Sequence, residues 1–369
     1  MRNVRFLRGF PHSAPRSFKS KPKDYKSKDR QSAMKSRQAG PRTVTIAPGH
    51  CSVFITRIGF SFWAALSVLA APATSHGKQP GRLSSLGPGD TIAFVGGTDT
   101  VQAEKYGYLE LALLAAGDRT ATPPKMRTLA WQADTDFDRD RPLNFGDLAE
   151  HLRDLKATVV VAAYGKAEIL SGQAKKPEQF IAAYDRLLAS FGKIPSVKSL
   201  ILMTPPPFEN AGGTLPDLSH HNATVSALIP GLKALAKKRG YLFVDVFSDL
   251  QTRASASPRT SDGFSLTDHG HAEVAAAFAR QVGIAVSPWA SLDAARQAIV
   301  DKNQLWHNYH RPTNWSFLKG DRISVASSYD HLDPKKRWFP DEMKLYLPLI
   351  EAADQRVARA ALTMGGKVQ

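Results

Sequence analysis

Five short apolar runs are spaced along the middle of this chain, and segments with helical periodicity alternate with them. The runs are Thr91–Gly96, Met126–Trp131, Thr158–Tyr164, Val197–Thr204 and Tyr241–Val246. Strands that are apolar on both faces are typical of a parallel sheet that helices cover on both sides. The pattern therefore predicts an α/β domain built on a five-stranded parallel sheet. In such folds ligands bind beyond the carboxyl ends of the strands.

Two predicted helices carry clear signals at or near their ends. Thr267 is a good N-terminal cap for a last helix, which we expect to stop at Gly283. A second helix is predicted over His220–Arg239. We expect it to be broken or kinked near Pro230, since proline removes an intrahelical hydrogen bond.

The net charge of +16 is concentrated in one segment. The first 57 residues hold 14 Lys and Arg against two Asp, a balance of +12, which leaves only +4 for the other 312 residues. A basic folded surface would favour nucleic acid, but this charge belongs to a segment without apolar periodicity. We therefore expect no nucleic-acid partner.

The uncharged apolar stretch Ile58–Ala73 follows Arg57 and ends in small residues. A basic flank, a short apolar run and an A-x-A-like site are typical of a secretory signal peptide. The stretch is somewhat short for a membrane span, which needs ~20 residues. We predict that residues 1–75 form a basic leader with a signal peptide and that the protein is exported. An uncleaved segment would instead anchor it to a membrane, and a chance apolar segment is the third alternative.

The single cysteine, Cys51, precedes that stretch and would be removed with the leader. The mature chain would then have no disulfide and no cysteine-based metal site. We expect neither a metal nor another cofactor. The sequence does not indicate an oligomeric state.

Residues 288–369 differ in character from the predicted main domain at 76–287. They contain four tryptophans, several histidines and a predicted helix over Pro340–Ala361. We interpret them as a C-terminal arm with helices that packs on the main domain. The cluster from Trp306 to Arg311 favours such packing, and a sugar-binding surface is the alternative.

Four sequence blocks follow the strands or precede the last helix. They are Gly96-Gly97-Thr98, Thr128–Thr135, Gly165-Lys166-Ala167-Glu168 and Asp262–Thr267. In this order and in these places they resemble the blocks of the SGNH/GDSL hydrolase superfamily. The segment Tyr106–Glu110 resembles a branch of it that is common in planctomycete-type bacteria. The resemblance implies a three-layer, flavodoxin-like fold and an esterase that acts on an acylated carbohydrate or a similar ester.

At each block a residue that the resemblance assigns to chemistry is replaced. Thr98 stands at the nucleophilic serine, Ala133 at an oxyanion-binding glycine, Ala167 at an asparagine and Ser265 at the catalytic histidine. The Ser265 hydroxyl is no base near neutral pH, and Ala167 has no side-chain donor. A lost donor costs roughly 10²–10³ in rate and a lost triad member roughly 10⁴–10⁶. These replacements predict a degenerate esterase that binds an ester ligand or a partner protein.

Four further residues are candidates for lining the ligand cleft, namely Gly97, Asp134, Gly165 and Glu168. The alternative to degeneracy is an active hydrolase with a displaced triad. His269 lies about one helical turn after Ser265 and could act with Thr98 and Asp262. The competing interpretation of His269 is a partly exposed residue in the first turn of a helix. Glu168 and Asp134 could also pair as acid and base, although their spacing does not demand it.

Overall fold

The computed structural model of the protein describes residues 86–364, except 88, 117–122, 142 and 286–287. The predicted leader, its signal peptide and Cys51 lie outside the described residues. Within the described ranges, no helix is long and apolar enough to cross a membrane.

One five-stranded sheet forms the centre of the molecule. Its strands are β1 (Thr91–Gly96), β2 (Lys125–Thr128), β3 (Val159–Ala163), β4 (Ser199–Met203) and β5 (Leu242–Val244). All neighbours are parallel and the order is β2-β1-β3-β4-β5, which confirms the predicted sheet. This is the flavodoxin-like order, which reverses between β1 and β3. A crevice is expected at that point, beyond the carboxyl ends of the strands.

Helices cover both faces of the sheet, so the three-layer α/β fold is confirmed. Those of the main domain are α1 (Thr98–Tyr106), α2 (Tyr108–Ala116), α3 (Leu148–Asp154), α4 (Lys166–Leu170), α5 (Pro177–Phe191), α6 (Asn222–Arg239), α7 (Val246–Gln251) and α8 (Asp268–Val282). The side chains of β1 alternate between the faces, as the strand pleat requires. Ala93 and Val95 belong to the core formed with α5 and α6. Ile92 and Phe94 belong to the core formed with α2 and α8.

The predicted cap of the last helix is confirmed. The Thr267 hydroxyl accepts a hydrogen bond from the Gly270 N–H at 3.1 Å. The helix stops at Gly283, whose φ of +75° is one that glycine adopts without steric cost. Both ends of α8 therefore depend on local sequence.

Helix α6 continues through Pro230, so the predicted break does not occur. Leu228 and Leu232 on either side of the proline are buried in the core against the sheet. Their burial offsets the loss of one intrahelical hydrogen bond at Pro230.

The C-terminal arm contains α9 (Asp293–His310), α10 (Trp315–Leu318), α11 (Trp338–Lys344) and α12 (Tyr346–Thr363). The single helix predicted over Pro340–Ala361 is thus two helices that meet at Leu345.

Helix α9 contacts the main domain, and α12 packs on α9. The ammonium of Lys302 donates to the buried Glu110 carboxylate at 2.6 Å. The indole N–H of Trp306 donates to the Thr128 carbonyl at 2.7 Å. The described parts of the arm and of the main domain belong to one compact unit.

Candidate functional site

A cleft of about 780 Å³, counting its open mouth, lies beyond the carboxyl ends of β1 and β3. Six of the sequence-predicted site residues line it, namely Gly97, Thr98, Asp134, Gly165, Ala167 and Glu168. Asp262, Ser265 and His269 do not belong to its lining. Predicted site residues of the first three blocks therefore line one cleft. The fourth block lines it only with Phe264 and Leu266, which were not predicted as site residues.

Thr98 follows the end of β1 and is the first residue of α1. Its hydroxyl accepts a hydrogen bond from the Ala133 N–H at 3.2 Å. Among the described residues this amide is its one hydrogen-bond partner, and no imidazole or carboxylate contacts it at that range. The hydroxyl thus faces a donor and has no group beside it that could remove its proton.

The backbone around Thr98 suits glycine at two positions. Ala133 has φ of +62°, a left-handed conformation that glycine adopts far more readily. A Cβ atom on Gly97 would lie 2.7 Å from the Asp134 carbonyl oxygen. A larger residue at position 97, such as aspartate, would therefore need the Asp134 backbone to move away.

Asp262 orders its own loop. Its carboxylate accepts from the Ser265 N–H at 2.5 Å, the Ser265 hydroxyl at 2.9 Å and the Phe264 N–H at 2.9 Å. Burial alone would raise the pKa of Asp262, but the N–H groups of Ser265 and Phe264 hold it below its usual value. These bonds occupy the carboxylate that the displaced triad would need.

Lys166 and Asp99 form an ion pair in the cleft, with Nζ and Oδ2 3.0 Å apart. Nζ also donates to the Phe264 carbonyl and lies 4.8 Å from the centre of the Phe264 ring. Burial raises the pKa of Asp99, and the Lys166 charge partly counteracts that rise. Lys166 thereby links the turn after β1 to the loop of Asp262. This pair is not predictable from the sequence, because its members are distant along the chain and neither stands at an active position of the resemblance.

Two histidines near the start of α8 have different surroundings. His271 lines the cleft and stacks on Tyr106, with ring centroids 4.5 Å apart. Burial, aided by the Lys166 charge, lowers the pKa of His271 to about 3, so the ring is neutral at pH 7. His269 instead places Nε2 2.9 Å from the Ser255 hydroxyl and 3.2 Å from a Glu273 carboxylate oxygen.

The three members of the displaced triad are thus not brought together. Within the described part of the chain, His269 forms no hydrogen bond with Thr98 or Asp262. Its 36% exposed side chain agrees with the interpretation of a first-turn helix residue.

Glu168 and Asp134 do not pair with each other. Asp134 forms an ion pair with Arg141 at 2.6 Å. Glu168 accepts from the backbone N–H groups of Asp136 and Gly165, both at 2.8 Å. Burial and the neighbouring Glu168 charge raise the pKa of Asp136 to about 8. Asp136, which no sequence motif singles out, is therefore the carboxyl group that neighbours Glu168.

The fold and the position of the cleft define a flavodoxin-like α/β protein with a site at the strand ends. No family model and no curated protein matches the sequence significantly. A gut microbial diltiazem-metabolizing enzyme is similar in structure at 16% identity and a TM-score of 0.43, over 56% of this chain and 49% of that one. The acetylxylan esterase Axe2 from Geobacillus stearothermophilus is similar at 18% identity and a TM-score of 0.41, over 55% of this chain and 98% of that one. At such low identity and TM-score, the function has to be judged from the site itself.

Proposed function

We propose that this protein is a degenerate member of the SGNH/GDSL esterase lineage whose cleft binds an ester ligand, such as an acylated carbohydrate, without efficient turnover. The supporting observation is the hydrogen bond of the Thr98 hydroxyl. Its partner is the Ala133 N–H at 3.2 Å, which is a donor and not a base.

The other ionisable groups of the cleft do not replace the base. Lys166 is held between Asp99 and the Phe264 carbonyl, and among the described hydrogen bonds it has none to Thr98. Both carboxylate oxygens of Asp262 already accept hydrogen bonds from Phe264 and Ser265 in its own loop. Loss of the base alone costs roughly 10⁴–10⁶ in rate, so turnover near background is expected.

The purified protein is assayed for ester hydrolysis with two substrates, p-nitrophenyl acetate and acetylated cellobiose. The expected rate is that of the background reaction, and Thr98→Ala should leave it unchanged. His269→Ala should also have no effect, because its imidazole contacts Ser255 and Glu273. Turnover well above background that both variants abolish would overturn the proposal in favour of the displaced triad.

Binding is tested by calorimetric titration with acetylated cellobiose. Ala167→Trp places a large side chain on the wall of the cleft and should weaken binding by at least roughly tenfold, about 1.4 kcal/mol. Leu170→Trp is the matched control, since Leu170 is on the same short helix but is 44% exposed and outside the cleft lining. Equal affinity of both variants would argue against the cleft as the binding site.

Export is part of the proposal and rests on the sequence of residues 1–75 alone. N-terminal sequencing of the protein recovered from its native cells should find a chain that begins close to residue 75. A mature chain that still carries the basic leader would contradict it.

A further inference from the structure

Exposed apolar side chains are concentrated on the C-terminal arm. Of the eleven large apolar residues that are exposed in the described part of the chain, eight lie between Ile323 and Leu362. The segment of α11 and α12 carries the adjoining Leu345 and Leu349, which are 65% and 52% exposed. An apolar surface that is concentrated in one place marks an interaction site, whereas scattered exposed leucines do not. We therefore expect a partner on this segment.

Seven residues of the segment recur at alternating spacings of four and three and form what we call the outer stripe. They are Trp338, Glu342, Leu345, Leu349, Ala352, Arg356 and Arg359. This spacing keeps side chains on one face of a helix. Leu345, where α11 and α12 meet, has φ of −66° and ψ of −21°, so the helical rotation continues through it. All seven are exposed except Ala352, which is half-buried.

The two ends of the outer stripe carry opposite charges. Glu342 lies towards its beginning, and Arg356 and Arg359 lie towards its end. Among the described ion pairs and side-chain hydrogen bonds, none involves these three residues. Asp341 and Lys344, which flank the stripe, differ because they pair with each other at 2.9 Å. The outer stripe thus offers unpaired charges on both sides of an apolar centre.

The outer stripe is complementary to itself when it is reversed. Glu342 and Arg356 are each seven residues, about two helical turns, from Leu349. If two copies cross antiparallel at Leu349, each Glu342 therefore meets Arg356 of the other copy. The two Leu349 side chains meet at the centre of the contact.

The remaining members of the outer stripe match in the same way. The reversal brings the large Leu345 opposite the small Ala352, so the two helices can approach closely. It brings Trp338 opposite Arg359, and a guanidinium over the face of an indole is a favourable contact. Every member of the stripe thereby has a partner of suitable size or charge.

We propose that the outer stripe binds a second copy of this chain, in a two-fold dimer whose α11–α12 segments lie antiparallel. A two-fold contact uses the same patch on both copies, so the patch has to be complementary to itself. An anionic membrane is the less suitable occupant, because the exposed Asp341, Glu342 and Glu351 would face its negative surface. The outer stripe shares no residue with the lining of the cleft, so the proposal is independent of what the cleft binds.

The association is measured by sedimentation velocity of the purified full chain between ~1 and ~100 μM. The wild type should be a dimer at the upper concentration. Leu349→Asp places two carboxylates against each other at the centre and should weaken association at least roughly tenfold. Leu215→Asp is the matched control, because Leu215 is a 45% exposed leucine of the main domain. This control should form dimers like the wild type.

Charge reversal tests the direction of the pairing. Glu342→Arg and Arg356→Glu should each weaken the dimer, since each places like charges opposite one another. The double variant restores opposite charges in both antiparallel pairs and should regain most of the affinity. A parallel dimer would oppose like residues and would not respond in this way.

Far-ultraviolet circular dichroism shows that each variant is folded, which is expected because every changed side chain is exposed. Three results of the sedimentation experiment would overturn the proposal: a wild type that stays monomeric at the upper concentration, an equal loss in Leu215→Asp, or a double variant as weak as the single ones. Sedimentation of a monomeric wild type with phosphatidylglycerol vesicles would also overturn it, since the occupant would then be a lipid surface.

Discussion

Asp136 and Glu168 place two carboxyl groups side by side in the interior, next to the cleft. Asp136 is 3% exposed and neither of its carboxylate oxygens has a hydrogen-bond partner among the described residues. Burial raises the pKa of Glu168 as well, but its two oxygens accept hydrogen bonds from backbone N–H groups, which favours its charged form. Asp136 is therefore the member of the pair that keeps a proton.

This proton makes the stability of the protein depend on pH. The pKa of Asp136 is about 8 in the folded protein against 3.8 for an ordinary aspartate. Between these values the folded chain binds one proton more than the unfolded chain, so the free energy of unfolding falls as pH rises through the window. The stability linked to the Asp136 proton is fully present below pH 3.8 and is lost as the pH rises through about 8.

Asp136→Asn should remove that slope, since the amide resembles the neutral carboxyl. We expect the variant to be more stable than the wild type at pH 8 by several kcal/mol, because each unit of pKa shift is worth about 1.4 kcal/mol, and about equal at pH 4. Urea unfolding at several pH values measures this. Asp140→Asn, at an exposed aspartate of the same loop, is the control. A steeper fall of stability with pH in Asp136→Asn would contradict the assignment.

At the scale of elements, helix α9 is fastened to the main domain by a buried ion pair. Lys302 and Glu110 have side chains that are 3% and 7% exposed, and their charged atoms are 2.6 Å apart. Asn303 adds a second bond to Glu110 at 2.6 Å, and Lys302 also donates to the Met126 carbonyl. A buried pair of this kind is costly to break from one side only, because the remaining charge has no partner.

Lys302→Met should thus lower the free energy of unfolding by about 3–5 kcal/mol. The double variant with Glu110→Gln should recover much of this loss, because no uncompensated charge remains. Urea unfolding at pH 7 gives both values. Asp293→Ala removes the more exposed pair with Arg296 and should cost only about 0–1 kcal/mol. If the single and the double variant lose the same free energy of unfolding, the unpaired charge of Glu110 is not the cause of the loss.

At the scale of the whole molecule, the arm completes both hydrophobic cores. Four of its large apolar side chains are buried there, namely Leu292, Ile299, Trp306 and Ile350. Each buried chain of this size stabilises by about 1.5–3 kcal/mol, and a whole domain is stable by about 5–15 kcal/mol. The arm therefore belongs to the folding unit and is more than an appendage.

A chain that ends after residue 287 should accordingly not reach the native fold on its own. We expect it to lose the near-ultraviolet circular dichroism of packed aromatic side chains and to show no cooperative urea transition. A truncated chain that unfolds cooperatively at the urea concentration of the full chain would contradict this role of the arm.

The elements were predictable wherever their signal is local. The apolar runs of β1 to β5 predicted a parallel sheet. The Thr267 hydroxyl and Gly283 mark the two ends of α8, and each acts on residues close to it in sequence. Pro230 is the counterexample, since packing of Leu228 and Leu232 keeps α6 continuous where the local rule predicted a break or a kink, and the break does not occur.

The candidate site was predictable in its place but not in its pairings. The sequence predicted a cleft at the strand ends, and Thr98 and Ala167 do line one there. The partners of the charged groups are not predictable, because Lys166 meets Asp99 and Lys302 meets Glu110 across long stretches of chain. Backbone propensity and apolar periodicity act between near neighbours, so the sequence alone determined the layers of the fold and where the cleft lies. Which buried charge faces which partner depends on how distant segments pack, and the tertiary structure alone decided it.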